Sequence, residues 1–164
     1  VDQLTGLFNR NHGKALLREA YSFTLSREEP MSLILCDIDH FKQINDSFGH
    51  PVGDQILAQV SGLLRKSVRG NDRGIRWGGE EFLILLENST DMVAAELAER
   101  LRLRIASEQF QSVGKVTVSL GVASLFQKES LEQLISRCDE ALYKSKRNGR
   151  NQLTLATINE FPKN

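Results

Sequence analysis

A glycine pair followed by two carboxylates lies between two β-like runs near the middle of the chain. Residues 78–82 read Gly-Gly-Glu-Glu-Phe, and β-like runs precede and follow them at 73–77 and 82–86. Glycine tolerates a positive φ, and a two-glycine turn between such runs favours a tight β-hairpin. The simplest interpretation of the two acidic residues is a charged hairpin tip in solvent, and a metal site is the alternative.

Two more carboxylates follow a second apolar run. Asp37 and Asp39 come directly after residues 33–36, Leu-Ile-Leu-Cys, which we predict to form a buried strand. In open α/β sheets ligands bind outside the carboxyl ends of strands, and Mg²⁺ is held by one or two carboxylates plus substrate phosphates. Asp37 is therefore a candidate partner of Glu80. Asp39 is better explained as the N-cap of a helix that begins near residue 40.

The size and charge of the chain exclude several classes of function. Its 164 residues suffice for one domain with a sizeable core, and 21 Lys and Arg residues balance 21 Asp and Glu residues. This balance lacks the positive charge of a general nucleic-acid binder. No membrane segment and no signal peptide are visible, so we expect a cytoplasmic chain. Because it begins with Val1, we expect a piece of a longer protein whose upstream regulatory region could include a membrane anchor.

The two cysteines predict core packing rather than chemistry. Cys36 lies within the apolar strand pattern, and Cys138 lies on the apolar face of a helix pattern. Two cysteines are too few for the disulfide framework of a small oxidised domain, so a reducing compartment is the default expectation.

Helix and strand patterns alternate along the chain without repeats, which predicts one continuous α/β domain. Apolar residues recur at helical spacing through 51–68, with Pro51 in the first turn and Gly70 after the end. Residues 116–122 alternate large apolar with small residues, which is typical of a strand whose second face is closely approached. The other predicted helices are 12–25, 41–48, a segment capped by Thr90 and 131–145, and the other predicted strands are 32–38, 73–77, 82–86 and 152–156.

Five motifs occur in an order and at a spacing that resemble the GGDEF family of diguanylate cyclases. The match spans nearly the whole chain, which we interpret as a single catalytic domain over 1–164. Glu80 stands where the family name has Asp, a mild departure. The resemblance implies an α/β fold of the α+β sandwich kind, with a mixed central sheet flanked by helices, a palm-like nucleotidyl cyclase fold with a signature β-hairpin. The motifs are residues 2–10, 37–54 in two adjoining parts, 78–82, 119–123 and 141–151.

By this resemblance the chain condenses two GTP molecules into cyclic di-GMP and releases two pyrophosphates. Each protomer of a homodimer holds one GTP. The resemblance assigns Glu80 as the candidate base for the 3′-hydroxyl proton. Charge that builds up at the attacked α-phosphate needs metals and fixed donors. The ligands that the resemblance assigns to Mg²⁺, or to Mn²⁺, are the Ile38 carbonyl and the carboxylates of Asp37, Glu80 and Glu81.

The resemblance also implies residues that read guanine. Asn45 and Asp54 match these positions. Both residue types suit the task, because an amide offers both a donor and an acceptor and a carboxylate accepts from the guanine edge. Their ordinary alternatives are a helix end for Asn45 and the first helical turn for Asp54. His50 touches the ribose or fills a turn.

Phosphate contacts are implied at Lys146 and Arg150, which bracket Gly149 near a predicted helix end. Basic residues also suit a helix C-terminus without any ligand. A neutral chain that holds a triphosphate nevertheless needs such local cations. Further donors are assigned to Lys42 and to the backbone at Phe41 and Gly79.

A product-binding site is implied by residues shortly before the glycine pair. Arg69 and Asp72 match the inhibitory Arg-x-x-Asp pattern of the family, and Arg100 matches a supporting arginine. The resemblance therefore implies inhibition by cyclic di-GMP. The ordinary alternative is a solvated turn, because Gly70, Asn71 and Asp72 are common turn formers.

Two other functions stay open at this point. One is a receptor of the same fold that binds GTP or cyclic di-GMP without catalysis, although the chain retains the signature residues that degenerate members usually lose. The other is a different nucleotidyl transferase, such as a polymerase or an adenylyl cyclase. The zero net charge argues against a template-binding polymerase.

Overall fold

Residues 1–158 are described by a computed structural model, and they contain five helices and five strands. None of the helices in this part of the chain is long and apolar enough to cross a membrane. The helices are α1 (Arg10–Arg27), α2 (Phe41–Phe48), α3 (His50–Ser67), α4 (Asp91–Ser107) and α5 (Leu131–Arg147). The strands are β1 (Met31–Ile38), β2 (Arg73–Arg76), β3 (Glu81–Glu87), β4 (Val118–Ser124) and β5 (Leu153–Leu155).

The strands form one mixed sheet in the order β2-β3-β1-β4-β5. β1 pairs antiparallel with both β3 and β4, and β2 pairs antiparallel with β3. Among the paired strands of the described residues, only β4 and β5 are parallel, and an isolated parallel bridge joins Phe8 to Ile75. Every residue of the central strand β1 is buried, because helices cover both faces of the sheet. The predicted mixed central sheet flanked by helices is confirmed.

Alternate residues of β1 face two separate hydrophobic cores. Ile34 and Cys36 belong to the core formed with α3 and α4. Leu33 and Leu35 belong to the core formed with α1 and α5. Successive side chains of a strand point to opposite faces, so Asp37 continues the face of the leucines. The alternation therefore turns this carboxylate towards the α1 and α5 side.

Side-chain caps begin three helices near their predicted starts. Asn9 caps α1, Thr90 caps α4 as predicted, and Ser130 forms a capping box with Gln133 at α5. Each cap satisfies backbone amides that lack a partner within the helix. α3 has Pro51 in its first turn instead, where the missing amide hydrogen leaves no bond unmade.

The close approach predicted for the second face of β4 is confirmed at Gly121. A Cβ built there would lie 2.3 Å from the carbonyl oxygen of Cys138 and 2.4 Å from the amide nitrogen of Leu142. Both atoms belong to the backbone of α5, so no side chain fits unless the helix moves off the sheet. Cys138 and Cys36 are buried free thiols, which confirms that both cysteines pack in the core.

Gly121→Ala is expected to destabilise the domain by about 2–4 kcal/mol, because helix backbone cannot yield as a flexible side chain does. Urea unfolding followed by circular dichroism measures the change. Gly62→Ala in α3 is the matched control, since its Cβ would meet only the end of Arg65 at 4.0 Å. Alanine there should stabilise the helix by about 0.5–1 kcal/mol. Equal stability of the two variants would contradict the packing described for α5.

Candidate active site

Three residues with carboxyl side chains lie close together where β1 ends and β3 begins. The register places Asp37 directly opposite Glu81, and residues so paired have Cβ atoms about 5 Å apart. Glu80 is the last residue of the turn before β3, and its carbonyl oxygen accepts a hydrogen bond from the amide of Ile38 at 3.3 Å. The residues predicted to bind a metal therefore form one cluster at the edge of the sheet.

The glycine pair forms the predicted hairpin without an unusual backbone conformation. The amides of Trp77 and Gly78 both donate to the carbonyl oxygen of Glu81, at 2.8 and 3.0 Å. Neither Gly78 nor Gly79 has a positive φ, so the reason first given for glycine at this turn was wrong. A Cβ on Gly79 would meet no atom within 4 Å. The carbonyl oxygen of Gly79 accepts a hydrogen bond from Nη2 of Arg76 at 2.9 Å.

Burial raises the pKa of all three carboxyl groups. For Asp37 the loss of hydration outweighs the opposing hydrogen bond and charge of Lys146. Burial and then the charge of Asp37 raise the pKa of Glu80. The same two causes raise the pKa of Glu81, and Asp139 adds to them. Buried carboxylates that repel one another are typical of functional sites and favour a bound cation.

A cleft of about 290 Å³ lies beside Asp37 and Glu80, whereas Glu81 is not among the residues that line it. Lys146 on α5 donates from Nζ to Oδ2 of Asp37 at 2.9 Å, although the two residues are 109 positions apart. The cleft therefore has acidic and basic groups in contact within it. The site residues predicted from the sequence that line the cleft are Asp37, Ile38, Phe41, Lys42, Glu80, Lys146 and Arg150.

The cluster has the donor chemistry of a site for Mg²⁺ or Mn²⁺. Hard divalent cations prefer carboxylate and carbonyl oxygens, which Asp37, Glu80 and the Ile38 backbone supply. The ammonium group of Lys146 pairs with the buried carboxylate of Asp37, so one cation already lies beside the cluster. Within residues 1–158 no three His, Cys, Asp or Glu side chains converge on one point as metal ligands do. Binding therefore requires side-chain adjustment.

Asp39 does not cap α2, contrary to the prediction. The N-cap is His40, which has a left-handed backbone conformation and makes no side-chain cap. The buried carboxylate of Asp39 accepts hydrogen bonds from the hydroxyls of Thr117 and Ser119, at 2.7 and 2.6 Å. It also accepts from the amide of Asn151 at 3.0 Å. Asp39 therefore joins the end of β1 to β4 and to the turn after α5.

The predicted guanine-reading residues lie at the junction of α2 and α3. Oδ1 of Asn45 is buried and has no hydrogen-bond partner among the described residues. A Cβ on Gly53 would lie 1.9 Å from this oxygen, so only glycine leaves room for the amide. Asp54 is exposed, and it lies beyond the first turn of α3, which begins at His50. The first-turn alternative for Asp54 was therefore wrong.

Asn45, His50 and Asp54 do not line the cleft of about 290 Å³. Phe41 opens α2 within that cleft, and Asn45 follows one helical turn later. An unpaired buried acceptor costs free energy unless a ligand or solvent donates to it. Oδ1 of Asn45 at the α2–α3 junction therefore lacks a hydrogen-bond donor.

Arg69, Asp72 and Arg100 lie together around a separate pocket of about 20 Å³. The carboxylate of Asp72 accepts from the amide of Arg69 at 3.0 Å, so the ordinary turn predicted for this segment is present. Arg100 on α4 donates to the carbonyl of Ser67 at 3.4 Å. The pocket is small, and its two arginines are balanced by Asp72 and Glu96. The fold brings together the three residues predicted for it.

Two residues beside the cluster were missed from the sequence as members of the site. Asp139 on α5 raises the pKa of Glu81, and Arg10 on α1 lowers it. Arg10 also donates to the carbonyl of Trp77 at 3.0 Å and lies over the indole ring at 4.4 Å. A spacing of seven between Asp139 and Lys146 places both on one helix face. That spacing was the available signal for Asp139.

The sequence matches the family model described as diguanylate cyclase, GGDEF domain, over residues 1–152. Diguanylate cyclase A of Treponema denticola is 40% identical over 170 residues, which cover 99% of this chain and 46% of that protein. Diguanylate cyclase DgcM of Escherichia coli is 38% identical over 155 residues, which cover 94% of this chain and 38% of that protein. The chain spans less than half the length of these two relatives.

Two solved structures have the same architecture. The GGDEF domain of DgcB from Caulobacter crescentus, solved in complex with c-di-GMP, superimposes with a TM-score of 0.91 at 34% identity and covers 95% of each chain. The active GGEEF domain of a diguanylate cyclase from Vibrio cholerae gives a TM-score of 0.89 at 38% identity, with 93% of this chain and 99% of that chain covered.

Proposed function

The chain belongs to the GGDEF family of diguanylate cyclases, and from this membership we propose that it joins two GTP molecules into cyclic di-GMP. In each half-reaction the 3′-hydroxyl oxygen of one GTP attacks the α-phosphorus of the other, and pyrophosphate leaves. The observation that carries the proposal is the cleft in which Asp37 and Glu80 face Lys146 and Arg150. Phosphoryl transfer depends on positioning and charge neutralisation of this kind.

Glu80 is the group proposed to receive the 3′-hydroxyl proton. Burial and the charge of Asp37 raise its pKa, and a carboxylate with a raised pKa is the better general base near neutral pH. Mg²⁺ or Mn²⁺ held by the Asp37, Glu80 and Glu81 carboxylates and the Ile38 carbonyl supplies positive charge to the attacked phosphate. Glu81, paired opposite Asp37, completes the acidic set.

The basic side of the cleft is proposed to hold the phosphates. Lys146, Arg150 and Lys42 line it, and arginine can meet phosphate oxygens with two parallel hydrogen bonds. α2 begins at Phe41 without a side-chain cap, so its first backbone amides are also available to an anion. We assign a further donor to the Gly79 amide, beside which the space for a side chain is empty.

Guanine selection is assigned to the α2–α3 junction. The unpaired Oδ1 of Asn45 needs a donor, and the exposed Asp54 offers an acceptor beside it. The guanine edge presents N–H donors in a pattern that adenine lacks, so this pair favours GTP over ATP. We assign a ribose contact to His50, the first residue of α3.

Each domain holds one GTP in this proposal, so catalysis requires two domains that face each other as a homodimer. We assign the pocket at Arg69, Asp72 and Arg100 to the product, which would hold the two active sites apart. The related domain of DgcB was solved with c-di-GMP bound, and this supports a product site. GTP is an intracellular substrate, so a cytoplasmic location belongs to the same proposal.

Incubation with GTP and Mg²⁺ followed by mass analysis is the direct test. We expect cyclic di-GMP and pyrophosphate, with no cyclic product from ATP. The rate should rise faster than linearly with protein concentration while sedimentation shows mostly monomer, because two domains must meet. Tight binding of GTP or cyclic di-GMP without turnover would instead identify a receptor domain and would refute the proposed activity.

Mg²⁺ is expected to raise the melting temperature by a few degrees at pH 7.5, because it binds only the folded cluster. Without metal, the raised carboxyl pKa values favour the protonated folded form. The charged cluster therefore lowers the free energy of unfolding, and this loss is complete when the pH is above the raised pKa values. The loss becomes smaller as the pH falls to about 4. The Mg²⁺ effect should fade in the same window. Differential scanning calorimetry at both pH values measures the shift in melting temperature, with Na⁺ at equal ionic strength as the control. A shift at pH 4 equal to that at pH 7.5 would contradict the prediction.

A further inference from the structure

Three successive residues after α5 adopt left-handed backbone conformations. φ is 116° at Gly149, 64° at Arg150 and 48° at Asn151. The amide of Arg150 donates to the carbonyl of Ser145 at 2.9 Å, so Gly149 completes an ordinary helix ending. This helix ending does not account for the positive φ of Arg150 and Asn151. The left-handed region is uncommon for arginine, whereas asparagine adopts it more readily. Contacts around the turn must therefore support the conformation of Arg150.

Contacts from separate parts of the fold hold this turn. The amide of Asn151 donates to the buried carboxylate of Asp39 at 3.0 Å. From α4, Nη1 of Arg102 donates to Oδ1 of Asn151 at 2.9 Å and to its carbonyl oxygen at 3.4 Å. The side chain of Gln152 donates to the carbonyl of Arg150 at 3.0 Å. The left-handed turn is thus fixed from the end of β1, from α4 and from its own next residue.

Arg102 is itself held in one orientation. Its Nε donates to Oε2 of Glu99 at 2.8 Å, and its Nη2 donates to Oε1 at 2.5 Å. This two-point ion pair fixes the plane of the guanidinium group. The neighbouring Leu101 and Ile105 are fully buried, so α4 is anchored in the core beneath it. The remaining guanidinium nitrogen is therefore directed at Asn151.

We propose that Arg102 is a positioning residue for the substrate phosphates, because it holds the turn that places Arg150 in the cleft. Arg150 lines the cleft together with Lys146, whereas Arg102 is outside it and touches no substrate. The inference rests on the proposed function. The proposed reaction places the α-phosphate of GTP at Glu80. Lys146 and Arg150 are therefore expected to contact the β- and γ-phosphates. Without Arg102 the turn can relax, and the Arg150 side chain then leaves the cleft.

Calorimetric titration with two ligands in the presence of Mg²⁺ tests the inference. One ligand is α,β-methylene GTP, which binds without reacting, and the other is GMP, which lacks the outer phosphates. Arg102→Gln is expected to weaken binding of the GTP analogue about tenfold, the effect of one charge-assisted hydrogen bond, and to leave GMP binding unchanged. Equal weakening of both ligands would show general damage to the fold and would overturn the inference.

A double-mutant cycle and a matched control complete the test. In an Arg150→Ala background, Arg102→Gln should have no further effect on the GTP analogue, because it acts through that side chain. Additive effects would overturn the inference. Arg104→Gln on the same helix, where Arg104 contacts the hydroxyl of Ser67 at 3.3 Å, should leave both affinities unchanged. Failure of the unmodified chain to bind either ligand would refute the proposed function as well, whereas normal binding by Arg102→Gln would refute the inference alone.

Discussion

Glu80→Gln is expected to lower the rate of cyclic di-GMP formation about a thousandfold. The change removes the proposed proton acceptor and one negative charge of the cluster, while the side-chain volume is almost unchanged. Glutamine cannot take up the 3′-hydroxyl proton, and its oxygen is a weaker ligand for a hard cation. Quantitative chromatography of product formed from GTP and Mg²⁺ measures the effect.

The matched control is Glu87→Gln, which makes the same change at the exposed far end of β3. It should leave turnover within about twofold of the unmodified chain, as expected for an exposed substitution away from the site. Thermal unfolding without metal should find Glu80→Gln at least as stable as the unmodified chain, because one of the carboxylates that repel Asp37 is gone. Near-normal activity of Glu80→Gln would remove Glu80 from both of its proposed roles.

Arg69→Ala and Asp72→Ala are each expected to weaken binding of cyclic di-GMP at least about tenfold and to relieve product inhibition. A guanidinium group bound to phosphate or guanine makes charge-assisted hydrogen bonds, and loss of one such contact has this effect. The pocket is separate from the catalytic cleft, so inhibition of the unmodified chain should be non-competitive with GTP. The rate before product accumulates should stay within about twofold.

Lys66→Ala is the control for this site, because it removes an exposed basic residue of the last turn of α3 without touching the pocket. Calorimetry with cyclic di-GMP should find its affinity unchanged. Since Asp72 also accepts from the amide of Arg69, thermal unfolding should accompany the Asp72 variant. Absence of product binding to the unmodified chain would refute the site, and unchanged binding in both variants would place it elsewhere.

Local signals were sufficient to predict most of the fold. Helical periodicity with Pro51 at the start predicted α3, and the capping threonine predicted α4. The glycine pair between two β-like runs predicted the β2–β3 hairpin. Each of these features depends on residues a few positions apart, because helical repeat, caps and turns are local in origin. The order and spacing of the motifs likewise sufficed to indicate the family, which the comparisons confirmed.

Partners that lie far apart in the sequence could not be predicted in this way. Asp39 has the residue type and position of an N-cap, yet its carboxylate bonds to Thr117 and Ser119 instead. Those hydroxyls reach it only because β1 and β4 are neighbours in the sheet. Gly149 and Asn151 permit a left-handed turn locally, whereas the contact of this turn with Arg102 from α4 had no signal in the neighbouring sequence.

The chemical groups of the active cleft were thus readable from the sequence, whereas their contacts were decided by the tertiary structure. Asp37 faces Glu81 because the β1–β3 register follows from burying alternate residues of both strands in two cores. Lys146 reaches Asp37 because Gly121 lets α5 lie directly on β4. Strand register and helix packing are determined by many weak contacts over the whole domain. They therefore cannot be predicted from any short segment of the sequence.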